Sequence, residues 1–139
     1  MILYGGGNKY FNARMTTVTF KEEAEEKYRE TPWGAWTVLD DKDDFKVKKI
    51  VIKPKQRLSY QKHMKRQENW FIVKGHAEVT INDDKKFLSE GDFIYIPFEA
   101  KHRMANASET EDLVFIEIQR GTYFGEDDIV RFDDDYGRN

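Results

Sequence analysis

From Trp33 onward the chain alternates in short bursts of β-branched and aromatic residues separated by turn residues. Ala35–Leu39 is one such run, and Asp40-Asp41-Lys42-Asp43-Asp44 breaks it. In Phe45–Lys53, Lys46, Lys48, Ile50 and Ile52 alternate with Phe45, Val47, Lys49 and Val51, and Pro54 ends the run. Side chains two apart share a strand face, so Lys48 lies with two isoleucines on the face expected to be buried. Further runs are Trp70–Val73 before Gly75, Phe93–Ile96 before Pro97, and Leu113–Gln119. Ala77–Ile81 and Lys86–Leu88 flank Asn82-Asp83-Asp84, the pattern of a hairpin. Short strands at about ten-residue spacing without alternating helices predict an all-β sandwich or barrel. Before Trp33, Thr19-Phe20-Lys21-Glu22 has capping-box spacing, and Lys21–Glu30 is rich in helix formers. The sequence thus predicts a short helix that Pro32 and Gly34 stop, with residues 1–29 as an arm plus helix and 30–139 as the barrel and its tail. The stretch after Gly121 is expected to be loop, with Asp133-Asp134-Asp135 its most acidic part.

Composition trims the options. At 139 residues one domain is expected. The chain has no cysteine, which excludes disulfides, thiolate catalysis and Cys-bound zinc. A formal net charge of -3 argues against a nucleic-acid partner. No run approaches a membrane span or a signal-peptide core, so no membrane partner is expected and a cytoplasmic location is.

The chemistry concentrates in two stretches. KQRLSYQKHMKRQENWFIVKG runs from Lys55 to Gly75, and GDFIYIPFEAKHRMAN from Gly91 to Asn106. Gln61, His63, Glu68 and His102 offer an amide oxygen, two imidazoles and a carboxylate, a donor set suited to a divalent metal. Imidazole favours zinc, iron, nickel or copper, and the oxygen donors add manganese and cobalt. Of the three histidines, His76 follows Gly75 in a turn and is read as an ordinary polar residue.

These stretches resemble the two motifs of the cupin superfamily. The first asks for Gly, five residues, His-x-His, three or four residues, Glu, six residues, Gly; the chain has Lys55, Gln61-x-His63, Glu68 and Gly75 at those spacings. The second asks for Gly, five residues, Pro-x-Gly, two residues, His, three residues, Asn; the chain has Gly91, Pro97-x-Glu99, His102 and Asn106. Lys55 and Glu99 stand where the motifs carry glycine, and Gln61 where they carry histidine. The Gln-x-His variant, Thr31-Pro32-Trp33-Gly34-Ala35-Trp36, Glu68-Asn69-Trp70, Ile116-Glu117-Ile118-Gln119 and the segment Gly125–Arg138 are similar to the phosphomannose isomerase branch. The resemblance is to the C-terminal isomerase domain of bifunctional type II mannose-6-phosphate isomerase/mannose-1-phosphate guanylyltransferases. Thr31 replaces an arginine common there, and His63-Met64-Lys65 a histidine run. There is no glycine-rich pyrophosphorylase signature, so guanylyl transfer is not expected of this chain.

That resemblance implies a double-stranded β-helix, the jelly-roll cupin barrel. It further implies a metal-dependent aldose–ketose isomerase acting on mannose 6-phosphate and fructose 6-phosphate or a similar sugar phosphate. In that reading Gln61, His63, Glu68 and His102 hold the metal, with zinc favoured over manganese, cobalt, nickel or iron. Glu117, flanked by Ile116 and Ile118, is the candidate base, and Lys48 the alternative acid/base or phosphate contact. Arg66, Lys101, Arg103, Arg131 and Arg138 are the candidate phosphate cations. The competing expectations are an iron dioxygenase on the same barrel and a non-catalytic sugar-binding module. A homodimer joined through the first 18 residues and the 30s is also expected.

Overall fold

A computed structural model describes residues 27–138. Eleven strands follow in chain order: β1 Tyr28–Thr31, β2 Gly34–Asp41, β3 Phe45–Ile52, β4 Tyr60–Lys62, β5 Arg66–Lys74, β6 Ala77–Ile81, β7 Asp84–Leu88, β8 Phe93–Ile96, β9 His102–Asn106, β10 Leu113–Gly121 and β11 Val130–Asp133. A one-turn 3-10 helix, Glu126–Asp128, precedes the last strand. They form a six-stranded sheet ordered β1-β2-β3-β10-β5-β8 and a five-stranded sheet ordered β11-β4-β9-β6-β7, every pairing antiparallel. This is the expected all-β architecture. The expected helix over Lys21–Glu30 lies outside the described residues up to position 26, and Tyr28–Glu30 are strand. There Thr31 Oγ1 accepts the Gly34 amide across the tight turn that joins β1 to β2.

What positions the site is a gradient along the interior rows. Inward residues of β3 read Lys48, Ile50, Ile52; of β5, Arg66, Glu68, Trp70, Ile72; of β10, Leu113, Phe115, Glu117, Gln119; of β9, His102, Met104, Asn106. Antiparallel register brings like to like: Ile52 opposes Leu113, Ile50 opposes Phe115, Phe115 opposes Ile72, Lys48 opposes Glu117, and Gln119 opposes Glu68. One half of the barrel interior is therefore a dry core of Ile50, Ile52, Trp70, Ile72, Val79, Met104, Leu113 and Phe115. The other half is a buried polar layer. Burial of the apolar half stabilises the fold by roughly 1.5–3 kcal/mol per large side chain, which offsets desolvation of the polar half.

The turns carry strain in two informative places. Lys55 and Glu99 sit at φ 66° and 63°, the left-handed region where the cupin motifs place glycine. Asn82 and Asp83, both at positive φ, make the two-residue hairpin between β6 and β7. The motif Asn106 is a latch: its Nδ2 donates to the Ile52 and Glu111 carbonyls and its Oδ1 accepts the Ser108 amide. The tail is not loop throughout. β11 pairs with β4, and the acidic run is neutralised residue by residue, Asp133 by Arg103, Asp134 by Arg138 and Asp135 by Arg57.

Candidate metal centre and ligand cavity

His63 follows β4, Glu68 lies on β5 and His102 opens β9, and the barrel closes them onto one point. Their donor atoms all fall within 4.8 Å of one another. His63 Nε2 is 3.2 Å from Glu68 Oε1, and His102 Nε2 is 3.8 Å from Glu68 Oε2. All three are almost completely buried. Both imidazoles are oriented from behind. His63 Nδ1 lies 3.1 Å from the Asp128 carbonyl and His102 Nδ1 lies 2.9 Å from the Ala100 carbonyl. A carbonyl only accepts, so each Nδ1 carries the proton and each Nε2 turns its lone pair toward Glu68. Backbone-anchored Nδ1 atoms behind two Nε2 donors and a carboxylate are what a bound divalent cation requires. The residues thus fit the expected metal. Gln61, the fourth expected ligand, is the direct register partner of His102 across β4 and β9 and lines the adjoining cavity.

The charges agree with this arrangement. Burial pushes the Glu68 carboxyl up, but contact with the His63 imidazole and the charge of Arg66 outweigh it, leaving Glu68 well below the usual carboxylate range. Burial holds the His102 imidazole below its ordinary value against the opposing pull of Glu68, which favours the neutral ligand form. Glu117 behaves in the opposite way. Burial and the neighbouring Glu68 carboxylate raise it to about 8, although Lys48 and Arg66 work against the rise. Glu117 Oε1 accepts a 2.6 Å hydrogen bond from Gln119 Nε2.

Next to the metal group lies a cavity of about 230 Å³, far more than an ion needs. Its wall includes Trp33, Trp36, Lys48, Ser59, Gln61, Arg66, Glu117, Glu126, Arg131 and Arg138. Lys48 Nζ sits 4.6 Å from the Trp36 ring centre, a cation–π contact that holds the ammonium in the wall. Three cavity residues keep a buried polar atom without a protein partner: Trp33 Nε1, Ser59 Oγ and Arg131 Nε. Buried polar atoms without partners are rare, and these three belong to residues of one cavity wall. Burial and the nearby Arg138 charge depress the Arg131 guanidinium.

The expected phosphate cations divide. Arg66, Arg131 and Arg138 line the cavity, with Arg138 already forked onto Asp134. Lys101 and Arg103 are not part of its wall: Lys101 Nζ lies over the Phe132 ring, and Arg103 bonds to the Leu58 carbonyl and Asp133. Ser59, Trp36, Gln119, Glu126 and Asp128 belong to the site but were not singled out from the sequence. For Gln119 the signal was present, since it shares the Glu117 face. Asp128 gave none, because it acts through its backbone carbonyl.

The family described as "Mannose-6-phosphate isomerase C-terminal" matches residues 19–134. The chain belongs to this family. A "Mannose-1-phosphate guanylyltransferase" of Salmonella montevideo is 45% identical over 82% of the chain and 24% of its own length. The "Xanthan biosynthesis protein XanB" of Xanthomonas campestris is 48% identical over 77% of the chain and 23% of its own length. The chain therefore spans about a quarter of the length of these relatives. Among solved structures, a protein with a double-stranded β-helix domain from Klebsiella pneumoniae superposes with TM-score 0.62 at 20% identity, covering 70% of this chain and 77% of that one. This likeness shows the cupin-type fold alone.

These relatives correct one expectation. At 45–48% identity they are named for guanylyl transfer and xanthan biosynthesis, not for interconversion of mannose 6-phosphate and fructose 6-phosphate. Motif resemblance reports a fold and a ligand layout rather than a reaction, so isomerase activity does not follow from it. Among the described residues, no helix is long and apolar enough to cross a membrane.

Proposed function

We propose that this domain holds a divalent cation, zinc by its donor set, and binds a small phosphorylated sugar in the cavity beside it. The observation that carries this is the pairing of the His63–Glu68–His102 group with a cavity lined by partnerless buried donors and by cations. Trp33 Nε1, Ser59 Oγ and Arg131 Nε each lack a partner, and a ligand rich in hydroxyls and oxyanions satisfies such groups. Arg131 and Lys48 supply positive charge for a phosphate. The relatives' names make a mannose phosphate the first ligand to try. A bound cation would act as a Lewis acid toward a ligand oxygen. Glu117, displaced into the neutral range and backed by Gln119, is placed to exchange a proton with a ligand hydroxyl while Lys48, its cross-strand partner, balances the charge.

The test is calorimetry on zinc-loaded protein with mannose 1-phosphate, mannose 6-phosphate, mannose and inorganic phosphate. Sugar phosphates should bind at least about ten-fold tighter than mannose, and Arg131→Gln should remove most of that preference. Equal affinity for mannose and its phosphates, or none for either, would overturn the proposal. The homodimer is part of the same proposal. Its expected contacts include residues of the 30s, which form β2 beside the β1 edge, and the first 18 residues, which lie outside those described. A monomer by light scattering at micromolar concentration would refute it.

A further inference from the structure

We infer that Arg66 is shared between the metal group and the cavity, so that a divalent cation and a tetrahedral oxyanion bind cooperatively through this one guanidinium. The inference rests on the metal reading above and deepens it. Arg66 stands two residues before Glu68 on β5, so both project from one face into the barrel. It is only 4% exposed. Its Nε donates to Glu68 Oε1 at 3.1 Å, and its Nη2 lies 3.2 Å from His63 Nε2. On the other side Nη1 donates to the Phe124 carbonyl at 3.3 Å and lies 4.0 Å from Glu126 Oε2. The side chain lines the cavity, whereas His63, Glu68 and His102 do not. The guanidinium thus stands between the two.

An arginine only donates hydrogen bonds, and each acceptor lone pair serves one partner at a time. His63 has its Nδ1 engaged by Asp128, so Nε2 is its one remaining lone pair. A cation on His63 must take that lone pair, and at Glu68 its charge sits beside the guanidinium that bonds Oε1. Two positive charges at such range also repel strongly in a buried setting. Cation binding therefore moves the guanidinium toward the cavity side, where Phe124 and Glu126 already receive Nη1. There its released Nε and Nη2 present a planar two-pronged donor to an oxyanion. Linkage makes the effect reciprocal: an oxyanion that keeps Arg66 on the cavity side tightens the cation by the same factor.

Calorimetry with zinc and with sulfate, a tetrahedral oxyanion that stays soluble beside zinc, tests this on wild type, Arg66→Gln and Arg66→Lys. Saturating sulfate should tighten zinc binding to wild type by about ten-fold, within the usual range of two-site coupling. Arg66→Gln should bind zinc about ten-fold tighter than wild type without sulfate, and sulfate should then add nothing. A merely structural arginine would give the opposite sign, weaker zinc on removal. Unchanged or weaker zinc binding in a folded Arg66→Gln, or coupling that survives in it, overturns the inference and leaves the metal reading intact. If Arg66→Gln does not fold, Arg66→Lys carries the test: it keeps the charge but lacks the fork, and coupling equal to wild type refutes the proposal. Wild type that takes up no zinc, with His63→Ala no different, brings down both readings.

Discussion

Replacing Glu117 by glutamine should stabilise the metal-free protein, and by an amount that depends on pH. The side chain is 6% exposed, accepts from Gln119, and lies near the ionised Glu68. Burial first and Glu68 second raise its carboxyl from 4.5 to about 8. A carboxyl that binds its proton more tightly in the folded state stabilises the fold fully below the unfolded pKa and loses that contribution as pH rises through the folded one. Between pH 4.5 and about 8 wild-type stability should therefore fall as pH rises. At about 1.4 kcal/mol per pH unit the ceiling on the loss is ~5 kcal/mol, and water entry or side-chain relaxation will reduce it. Glutamine keeps the shape and has no charge to desolvate. The stability difference, Glu117→Gln minus wild type, should be near its minimum at pH 4.5 and climb by several kcal/mol to a plateau above pH 8. Urea unfolding of chelator-treated protein across pH 4.5–9 measures this. A difference that stays flat would mean that Glu117 titrates as an ordinary surface carboxylate, and the account of the polar layer would be wrong.

Other expectations are simpler. Asp128→Ala removes the two carboxylate bonds to the Met64 and Lys65 amides, loosening the carbonyl that orients His63; zinc affinity should fall about 10–100-fold by calorimetry. Asp127→Ala, which removes the acceptor of the exposed Tyr123 hydroxyl, should leave zinc affinity unchanged. Lys55→Gly and Glu99→Gly relieve left-handed backbone at a small cost in unfolded-state entropy, so each should raise stability by about 0.5–1 kcal/mol in thermal unfolding. Phe115→Ala, at a fully buried site packed against Trp70, should cost ~3–5 kcal/mol in the same assay.

Leu113–Gln119 is apolar on both faces, so only the closed sheet decided that Glu117 points inward and Ile118 outward. The alternation in Phe45–Ile52 is a local property of the chain, and it put Lys48 on the face expected to be buried, because period two dictates which residues share a face. The spacing of Gln61, His63, Glu68 and His102 likewise marked a ligand set before any coordinates. Other elements left weaker traces. β5 begins at Arg66, four residues before the apolar run that betrayed it, since its first inward residues face a polar interior and carry no apolar signal. β4 and β9 are short and polar for the same reason, and β11 is largely exposed. Only the folded barrel decided which cations reach the cavity. Arg131 and Arg103 lie on similar short strands of one sheet, yet one lines the wall and the other clamps the tail. The placement of Arg66 between the metal group and the cavity, and the Asp128 carbonyl behind His63, came from tertiary closure alone. Side-chain patterning sets which way a residue points. What it meets there depends on segments tens of residues away, and a backbone carbonyl is the same in every residue.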